Sequence, residues 1–203
     1  MSDYLQPFLS TLARVSRGSN QTAFRDLASL IDAVPADRRP EPPSQCPTAE
    51  KSLSDAIQRI PTDLEMAAEA ALAAEYSPWA EASRGIPEFF SGGYAYSMLV
   101  DEHEPCGPEP IRAGLLLQQP QIAYPGHAHD AEEFYFILSG YAEWRVDDHE
   151  FTATPGMLIH HAPTAIHAME TQNQPLLAAW VWRGDLKGRF WYESAPDVDC
   201  PRT

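Results

Sequence analysis

Apolar side chains in the first third of the chain recur every three or four residues, which is the spacing of an amphipathic helix. This pattern predicts helices over residues 5–15, 24–34, 52–60 and 62–76. The breakers Gly18 and Pro35 end the first two helices. The proline-rich stretch 35–47 is predicted to be a loop. Thr62 and Glu65 have the spacing of a capping box at the start of the fourth helix.

After Pro78 the pattern changes to short apolar runs separated by turn residues. These runs are predicted to be strands over 93–100, 111–118, 133–138, 141–146, 157–160, 166–169 and 176–181. Ser139-Gly140 and Pro155-Gly156 mark tight turns. Many short strands at this spacing indicate an antiparallel sandwich or barrel. The predicted fold is mainly β: a β-barrel over residues 91–203, preceded by several α-helices over residues 1–90 that pack on it.

Composition narrows the class of partner. The 203 residues include 14 Lys+Arg and 29 Asp+Glu, a net charge of −15. This charge repels phosphate backbones and anionic membrane surfaces, so we expect neither a nucleic acid nor a membrane as partner, but a cationic or zwitterionic small molecule.

Location and assembly are expectations of the same kind. Charged residues interrupt any signal-peptide core near the N-terminus, and no run reaches the roughly 18 apolar residues of a membrane span. The 3 cysteines are widely spaced and form no CxxC pair, which is typical of thiols in a reducing compartment. We expect a cytoplasmic protein that is a monomer or a homodimer.

Six of the 7 histidines fall between positions 127 and 167. On an extended segment His127 and His129 point to one face, and Glu133 and Tyr135 do the same on a strand. Two imidazoles and a carboxylate suit a divalent first-row metal such as Fe, Mn, Co, Ni or Zn, and the absence of thiolate argues against a structural zinc. A further ligand is expected from the later hairpin, where His167 lies on an apolar strand.

Other polar residues of this stretch are predicted to stay outside the metal site. His160 and His161 precede Ala-Pro at a strand end, and we assign them a surface or loop role, with a hydrogen bond to a metal ligand as the alternative for one of them. Glu132 faces the other side of its strand and is expected to be exposed. His103 and His149 lie in acidic loops and are expected to be solvated.

Two motifs carry a resemblance to a known superfamily. HxHxxxExxxxxxG runs from His127 to Gly140, and PGxxxxxxPxxxH follows from Pro155 to His167. Together they resemble the two motifs of the cupin superfamily. The resemblance implies a double-stranded β-helix barrel that binds a metal through the HxH pair, the glutamate and the later histidine.

A narrower resemblance extends over nearly the whole chain. The helical N-terminal half, Tyr124 before the HxH pair, Tyr135 after the glutamate and the pair Trp180 and Trp182 resemble the cupin-type dimethylsulfoniopropionate lyases of marine bacteria, of the DddQ type. This resemblance implies a carbon–sulfur lyase that releases dimethyl sulfide and acrylate.

The same resemblance implies roles for single residues. His129, Glu133 and His167 would bind the metal, Tyr135 would approach or ligate it and act as the general base, and Tyr124 would help to hold the substrate. Whether His127 also ligates the metal or only lines the pocket stays open.

The expected chemistry is a β-elimination on a small zwitterionic sulfonium. Removing a proton next to a carboxylate places a second charge on it, so the reaction needs a Lewis acid. A divalent cation beside Tyr135 would favour its phenolate. Aromatic faces attract the sulfonium charge, and the candidates for binding it are Tyr124, His127, Tyr141, Trp180, Trp182 and Trp191.

Two other functional classes fit the same motifs. A dioxygenase-like cupin enzyme would use Fe(II) on the same ligands and consume oxygen. A non-catalytic cupin would bind a small molecule without turning it over. The barrel alone does not separate these classes, because function depends on the site.

Overall fold

The computed structural model describes residues 4–35, 42, 44–81, 93–101 and 109–193. Its helices are α1 (Leu5–Gly18), α2 (Thr22–Asp32), α3 (Pro47–Gln58) and α4 (Ala67–Tyr76). Its strands are β1 (Trp79–Glu81), β2 (Tyr94–Val100), β3 (Ile111–Gln118), β4 (Ala123–His129), β5 (Ala131–Ser139), β6 (Ala142–Val146), β7 (His149–Ala153), β8 (Leu158–His161), β9 (His167–Thr171), β10 (Leu176–Gly184) and β11 (Phe190–Tyr192). The fold is mainly β with N-terminal helices, which confirms the predicted class.

The strands form two antiparallel sheets. A 6-stranded sheet has the order β1-β2-β3-β10-β5-β8, and a 5-stranded sheet has the order β11-β4-β9-β6-β7. Side chains from both sheets meet in one cluster that includes Tyr135, Trp144, Met169 and Trp180. The two sheets therefore enclose a barrel interior, as the resemblance to cupins implied.

A second apolar core lies between the helices and the outer face of the larger sheet. Strand β5 serves both cores, because Tyr135 and Ile137 point into the barrel while Phe134 and Phe136 point toward the helices. Phe24 of α2 packs edge-on against Phe134 and Phe136, with ring centroids 5.1 and 5.4 Å apart. The helices thus cover one face of the strand whose other face carries the candidate site.

The third and fourth helices differ from the prediction. Helix α3 begins at Pro47, five residues earlier than predicted, because proline is well tolerated in a first turn. Helix α4 begins only at Ala67, and its N-cap Met66 makes no side-chain cap. The predicted capping box of Thr62 and Glu65 is wrong, since residues 61–67 form turns and the Glu65 carboxylate pairs with Arg14 of α1.

The predicted strands are all present, with ends shifted by a few residues. Four strands that the apolar pattern did not mark, β1, β4, β7 and β11, are short or lie at sheet edges or contain polar residues. The predicted turn after β5 is confirmed by Gly140, which has a φ of 79° and lies against the Pro175 carbonyl. In the described part of the chain no helix is long and apolar enough to cross a membrane.

Candidate metal centre

Three side chains converge at one end of the barrel interior. His129 ends β4, Glu133 lies near the start of β5, and His167 begins β9. All three are at most 3% exposed, and their potential ligand atoms lie within 4.8 Å of one another. Among the described residues this is the one cluster of this kind. It brings together the residues predicted to bind the metal.

Backbone carbonyls fix the tautomers of the histidines. Nδ1 of His129 lies 2.9 Å from the carbonyl of Ala131, and Nδ1 of His167 lies 2.9 Å from the carbonyl of Ala165. A carbonyl only accepts, so each Nδ1 carries the proton and donates it. When the ring is neutral, its Nε2 lone pair faces the Glu133 carboxylate and can bind a cation.

The distances between these atoms fit a metal ion. Oε2 of Glu133 lies 3.3 Å from Nε2 of His129 and 3.2 Å from Nε2 of His167. Ligands held about 2.1 Å from one ion at tetrahedral or octahedral angles are roughly 3.0–3.4 Å apart. Nε2 of His167 is buried and has no hydrogen-bond partner. A divalent metal bound by the two Nε2 lone pairs and the carboxylate would satisfy all three groups, so the residues fit such an ion.

Burial and neighbouring groups shift the pKa values of Glu133, His127 and His161. Burial works against the charged form of Glu133, yet its contacts with His129, His161 and His167 hold its pKa well below the usual value. Burial and then the neighbouring His167 lower the pKa of His127 strongly and the pKa of His161 to about 4. At neutral pH Glu133 is therefore a carboxylate, the state in which it can bind a metal, and His127 and His161 beside it are neutral.

Two tyrosines face this cluster. Tyr135 follows Glu133 by two residues on the same face of β5 and is 5% exposed. Burial, and then the charge of Glu133, raise its pKa well above the usual value. The ring of Tyr124 lies 4.5 Å from that of His127. Their spacing of three would put them on opposite faces of a regular strand, but an irregularity between Tyr124 and His127 returns both to the interior.

A family profile of dimethylsulfoniopropionate lyases matches residues 18–178. The chain belongs to the dimethylsulfoniopropionate lyase family. A curated relative, dimethylsulfoniopropionate lyase DddQ of Ruegeria pomeroyi, is 34% identical over 113 residues, which cover 55% of this chain and 53% of the relative. The chain thus matches about half the length of that relative.

Two solved structures share the fold of this dimethylsulfoniopropionate lyase family member. The crystal structure of DMSP lyase DddQ from Ruegeria pomeroyi DSS-3 aligns with a TM-score of 0.67 at 25% identity, over 95% of this chain and 98% of the other. A structure from a study of the DMSP lyases RdDddP and RnDddQII aligns with a TM-score of 0.71 at 20% identity, over 94% and 98%. The fold, helices included, is therefore that of these enzymes.

The remaining predicted residues divide into two groups. His127 lies beside the cluster, with its ring 4.0 Å from that of His167, but outside the group of potential ligands. The ring of Trp182 lies 4.1 Å from that of His129, tilted by 34°, and its indole N–H donates to Oε1 of Glu133 at 2.6 Å. Trp180 lies deeper in the barrel, opposite Tyr135 on the neighbouring strand.

Two aromatic residues are not brought to the site. Tyr141 is 46% exposed and lines a surface groove with Arg59 and Pro61. It lies beyond the turn at the far end of β5, and the six residues from Glu133 to Ser139 alone span about 20 Å. Trp191 alternates with Phe190 and Tyr192 on β11 and lies under the guanidinium of Arg189. The structure therefore does not support either residue as part of the substrate pocket.

The interpretation of the polar neighbours needs correction. His161 is fully buried and hydrogen-bonded to Glu133, so its assignment to the surface is wrong, and the structure shows the alternative, a hydrogen bond to the predicted metal ligand Glu133. Glu132 does face away from the site, but it is largely buried between Arg183 and His160 instead of exposed. His149 is exposed as expected, and His103 lies outside the described residues.

Three aromatic residues near the site were missed by the sequence reasoning. Tyr94 of β2 packs 4.9 Å from Tyr124, and their hydroxyls are 3.4 Å apart. Phe190 and Tyr192 of β11 lie 5.3 and 6.2 Å from His127. Burial raises the pKa of Tyr94 to about 12, so it remains a neutral phenol. No local motif marks these residues, because they reach the site only through strand pairing.

Proposed function

We propose that this chain cleaves dimethylsulfoniopropionate to dimethyl sulfide and acrylate in a metal-dependent β-elimination. The observation that carries the proposal is the buried cluster of His129, Glu133 and His167, with Tyr135 on the same strand face, in a member of the dimethylsulfoniopropionate lyase family. The relative DddQ of Ruegeria pomeroyi, whose name states this activity, supports the choice of substrate.

His129, Glu133 and His167 would hold the metal. A divalent ion bound there supplies a Lewis acid for the substrate carboxylate and a positive charge that stabilises a nearby phenolate. The protein without such a charge keeps Tyr135 protonated, because burial and Glu133 both raise its pKa. Tyr135 would therefore act as a base only when a metal ion is bound to His129, Glu133 and His167.

Tyr135 is proposed as the general base. Its phenolate oxygen would take the proton from the carbon next to the carboxylate, and the electron pair of that C–H bond would form the double bond of acrylate. The C–S bond would break with its electrons passing to sulfur, so that neutral dimethyl sulfide leaves. The burial of Tyr135 excludes bulk water, which would otherwise compete for the phenolate.

Aromatic side chains are proposed to bind the sulfonium. Three tyrosines lie together beside His127, namely Tyr94, Tyr124 and Tyr192. Trp182 lies next to His129. The faces of these aromatic rings attract the fixed positive charge of the sulfonium, so no anionic side chain is needed to bind it. Tyr124, with His127, would therefore orient the end of the substrate opposite to its carboxylate.

Headspace measurement of dimethyl sulfide tests the proposal. Purified protein loaded with Fe(II), Mn(II), Co(II), Ni(II) or Zn(II) is expected to release dimethyl sulfide from dimethylsulfoniopropionate, and chelated protein is not. Tyr135→Phe is expected to lower kcat by about 100-fold or more, as loss of a general base does. Tyr76→Phe, a matched change at an exposed tyrosine of α4, should leave the rate unchanged. Activity that survives both chelation and Tyr135→Phe would refute the proposal.

A further inference from the structure

A buried tryptophan and histidine lie behind the candidate metal ligand Glu133. His161 of β8 stands opposite Glu133 of β5 in the strand register and is 0% exposed. Trp144 of β6, in the other sheet, is 1% exposed and packs edge-on against Tyr135 with ring centroids 5.0 Å apart. Both residues carry buried polar N–H groups. Neither residue is a candidate metal ligand, and neither takes part in the proposed elimination.

A chain of hydrogen bonds runs from Trp144 through His161 to Glu133, and each residue donates to the next. The indole Nε1–H of Trp144 points at Nε2 of His161 at 3.0 Å. An indole N–H only donates, so Nε2 of His161 must accept and its proton must sit on Nδ1. Nδ1 lies 2.9 Å from Oε2 of Glu133 and donates to it. Trp144 therefore determines the tautomer of His161, and that tautomer presents a donor to Glu133.

The oxygen that receives this bond is the one that faces the other ligands. Oε2 of Glu133 lies 3.3 Å from Nε2 of His129 and 3.2 Å from Nε2 of His167. Oε1 accepts the indole N–H of Trp182 at 2.6 Å. A glutamate carboxylate otherwise rotates freely about its last bond. One donor on each oxygen fixes that rotation and leaves a lone pair of Oε2 directed at the two imidazoles.

We propose that Trp144 and His161 are positioning residues that hold Oε2 of Glu133 in the orientation in which it binds the metal. The inference rests on the metal site of the proposed function but not on its substrate. His161 also stacks on His167, with ring centroids 4.0 Å apart and planes at 29°. The same imidazole thus supports two of the three ligands, one by a hydrogen bond and one by stacking.

The two neutral tautomers of His161 predict different orientations of the Glu133 carboxylate. If the proton of His161 moved to Nε2, the lone pair of Nδ1 would face the Glu133 carboxylate at 2.9 Å. Repulsion would then turn the carboxylate away from the imidazoles. Removing the Trp144 donor permits this change without touching Glu133. A role in packing alone would not depend on which nitrogen carries the proton.

Metal affinity separates positioning from packing. Binding of Co(II) and Zn(II) is measured by competition with a chromophoric chelator, independently of any turnover. His161→Asn keeps a donor close to the position of Nδ1, and His161→Leu removes it. We expect His161→Leu to weaken binding 10- to 100-fold, as loss of a partner behind a metal ligand does. His161→Asn should stay within about threefold of wild type, and the exposed His149→Leu should match wild type.

The tautomer itself is observed by nitrogen-15 NMR of the metal-free protein. Long-range spectra of the His161 ring should show a protonated Nδ1 and an unprotonated Nε2. Trp144→Phe should shift the proton toward Nε2 and weaken Co(II) binding about tenfold. Trp79→Phe is the matched control, because Trp79 is another buried indole, whose N–H bonds to the carbonyl of Ala74. It should alter neither quantity.

These experiments distinguish failure of the positioning role of His161 and Trp144 from failure of the proposed lyase function. Protein that binds Co(II) with the expected dependence on His161, yet releases no dimethyl sulfide, would retain this inference and refute the substrate. Equal loss of affinity in His161→Asn and His161→Leu, wild-type affinity in both, or a proton on Nε2 of His161 in the wild type would each overturn it. Circular dichroism of every variant establishes that the affinities refer to folded protein.

Discussion

Some residues of this site can be placed from the alternation of side chains along a strand, whereas others depend on pairing between strands that are distant in sequence. The alternation of His127 and His129, and of Glu133 and Tyr135, follows from strand periodicity and could be predicted. His161 could not, because its neighbours Ala162 and Pro163 resemble a loop and its partner Glu133 lies 28 positions away. Only the register of β8 against β5 brings them together.

The stability of the metal-free protein is predicted to fall in acid. Burial lowers the pKa of His161 to about 4, whereas histidine in an unfolded chain titrates near 6.5. Between these values the unfolded chain binds more protons, so the free energy of unfolding decreases as the pH falls from 6.5 to 4, by on the order of 3 kcal/mol for this residue. The lowered pKa of His127 acts in the same direction.

Urea unfolding in the presence of a chelator, repeated between pH 7 and pH 4.5, measures this dependence. His161→Asn is expected to flatten the slope, and His149→Asn, at an exposed position, is expected to keep it. A wild-type midpoint that stays constant over this range would be inconsistent with a neutral buried His161.

The elements that could be predicted are those with a continuous buried face. Helices α1 and α2 each bury one regular face. Strands β3, β5 and β10 are buried over most of their length. Strand β7 is mostly exposed and β11 has 3 half-buried residues, so their sequences carry little periodicity. Strand β11 depends on pairing with β4, and its neighbours Arg189 and Glu193 form ion pairs with Asp130 and Arg145.

Helix α2 is predicted to support the site strand from behind. Phe24 is 0% exposed and contacts the outward side chains Phe134 and Phe136 of β5. Phe24→Ala should lower the free energy of unfolding by about 3–5 kcal/mol, the usual range for a buried phenylalanine. Leu72→Ala, at a position 44% exposed on α4, should change it by no more than about 0.5 kcal/mol. Urea denaturation compares the two, and similar small losses would show that α2 does not buttress β5.

At the scale of the whole molecule, the larger sheet belongs to both apolar cores. Its outer face packs against the helices and its inner face lines the barrel. Sequence reasoning placed helices before the barrel correctly, but which strand faces the helices follows only from sheet order. The net charge of −15 is compatible with a sulfonium substrate, and within the cluster itself Glu133 is the one acidic member.

Shared cores predict a single unfolding transition. Helical circular dichroism reports mainly on α1–α4, whereas three of the five tryptophans that contribute to the fluorescence, Trp144, Trp180 and Trp182, lie in or against the barrel core. The two signals should change at the same urea concentration, because separating the helices would expose Phe134, Phe136 and Leu117 to water. A helical signal lost at lower urea than the fluorescence would instead show two independently folding parts.

Anaerobic product analysis tests whether the buried cluster of His129, Glu133 and His167 supports an elimination. Metal-loaded protein is incubated with dimethylsulfoniopropionate without oxygen, and dimethyl sulfide and acrylate are both quantified. An elimination predicts equal amounts of the two products, at the same rate as in air, and none from His167→Ala or chelated protein. Product formation that requires oxygen, or binding of the substrate without either product, would rule out an elimination at this cluster.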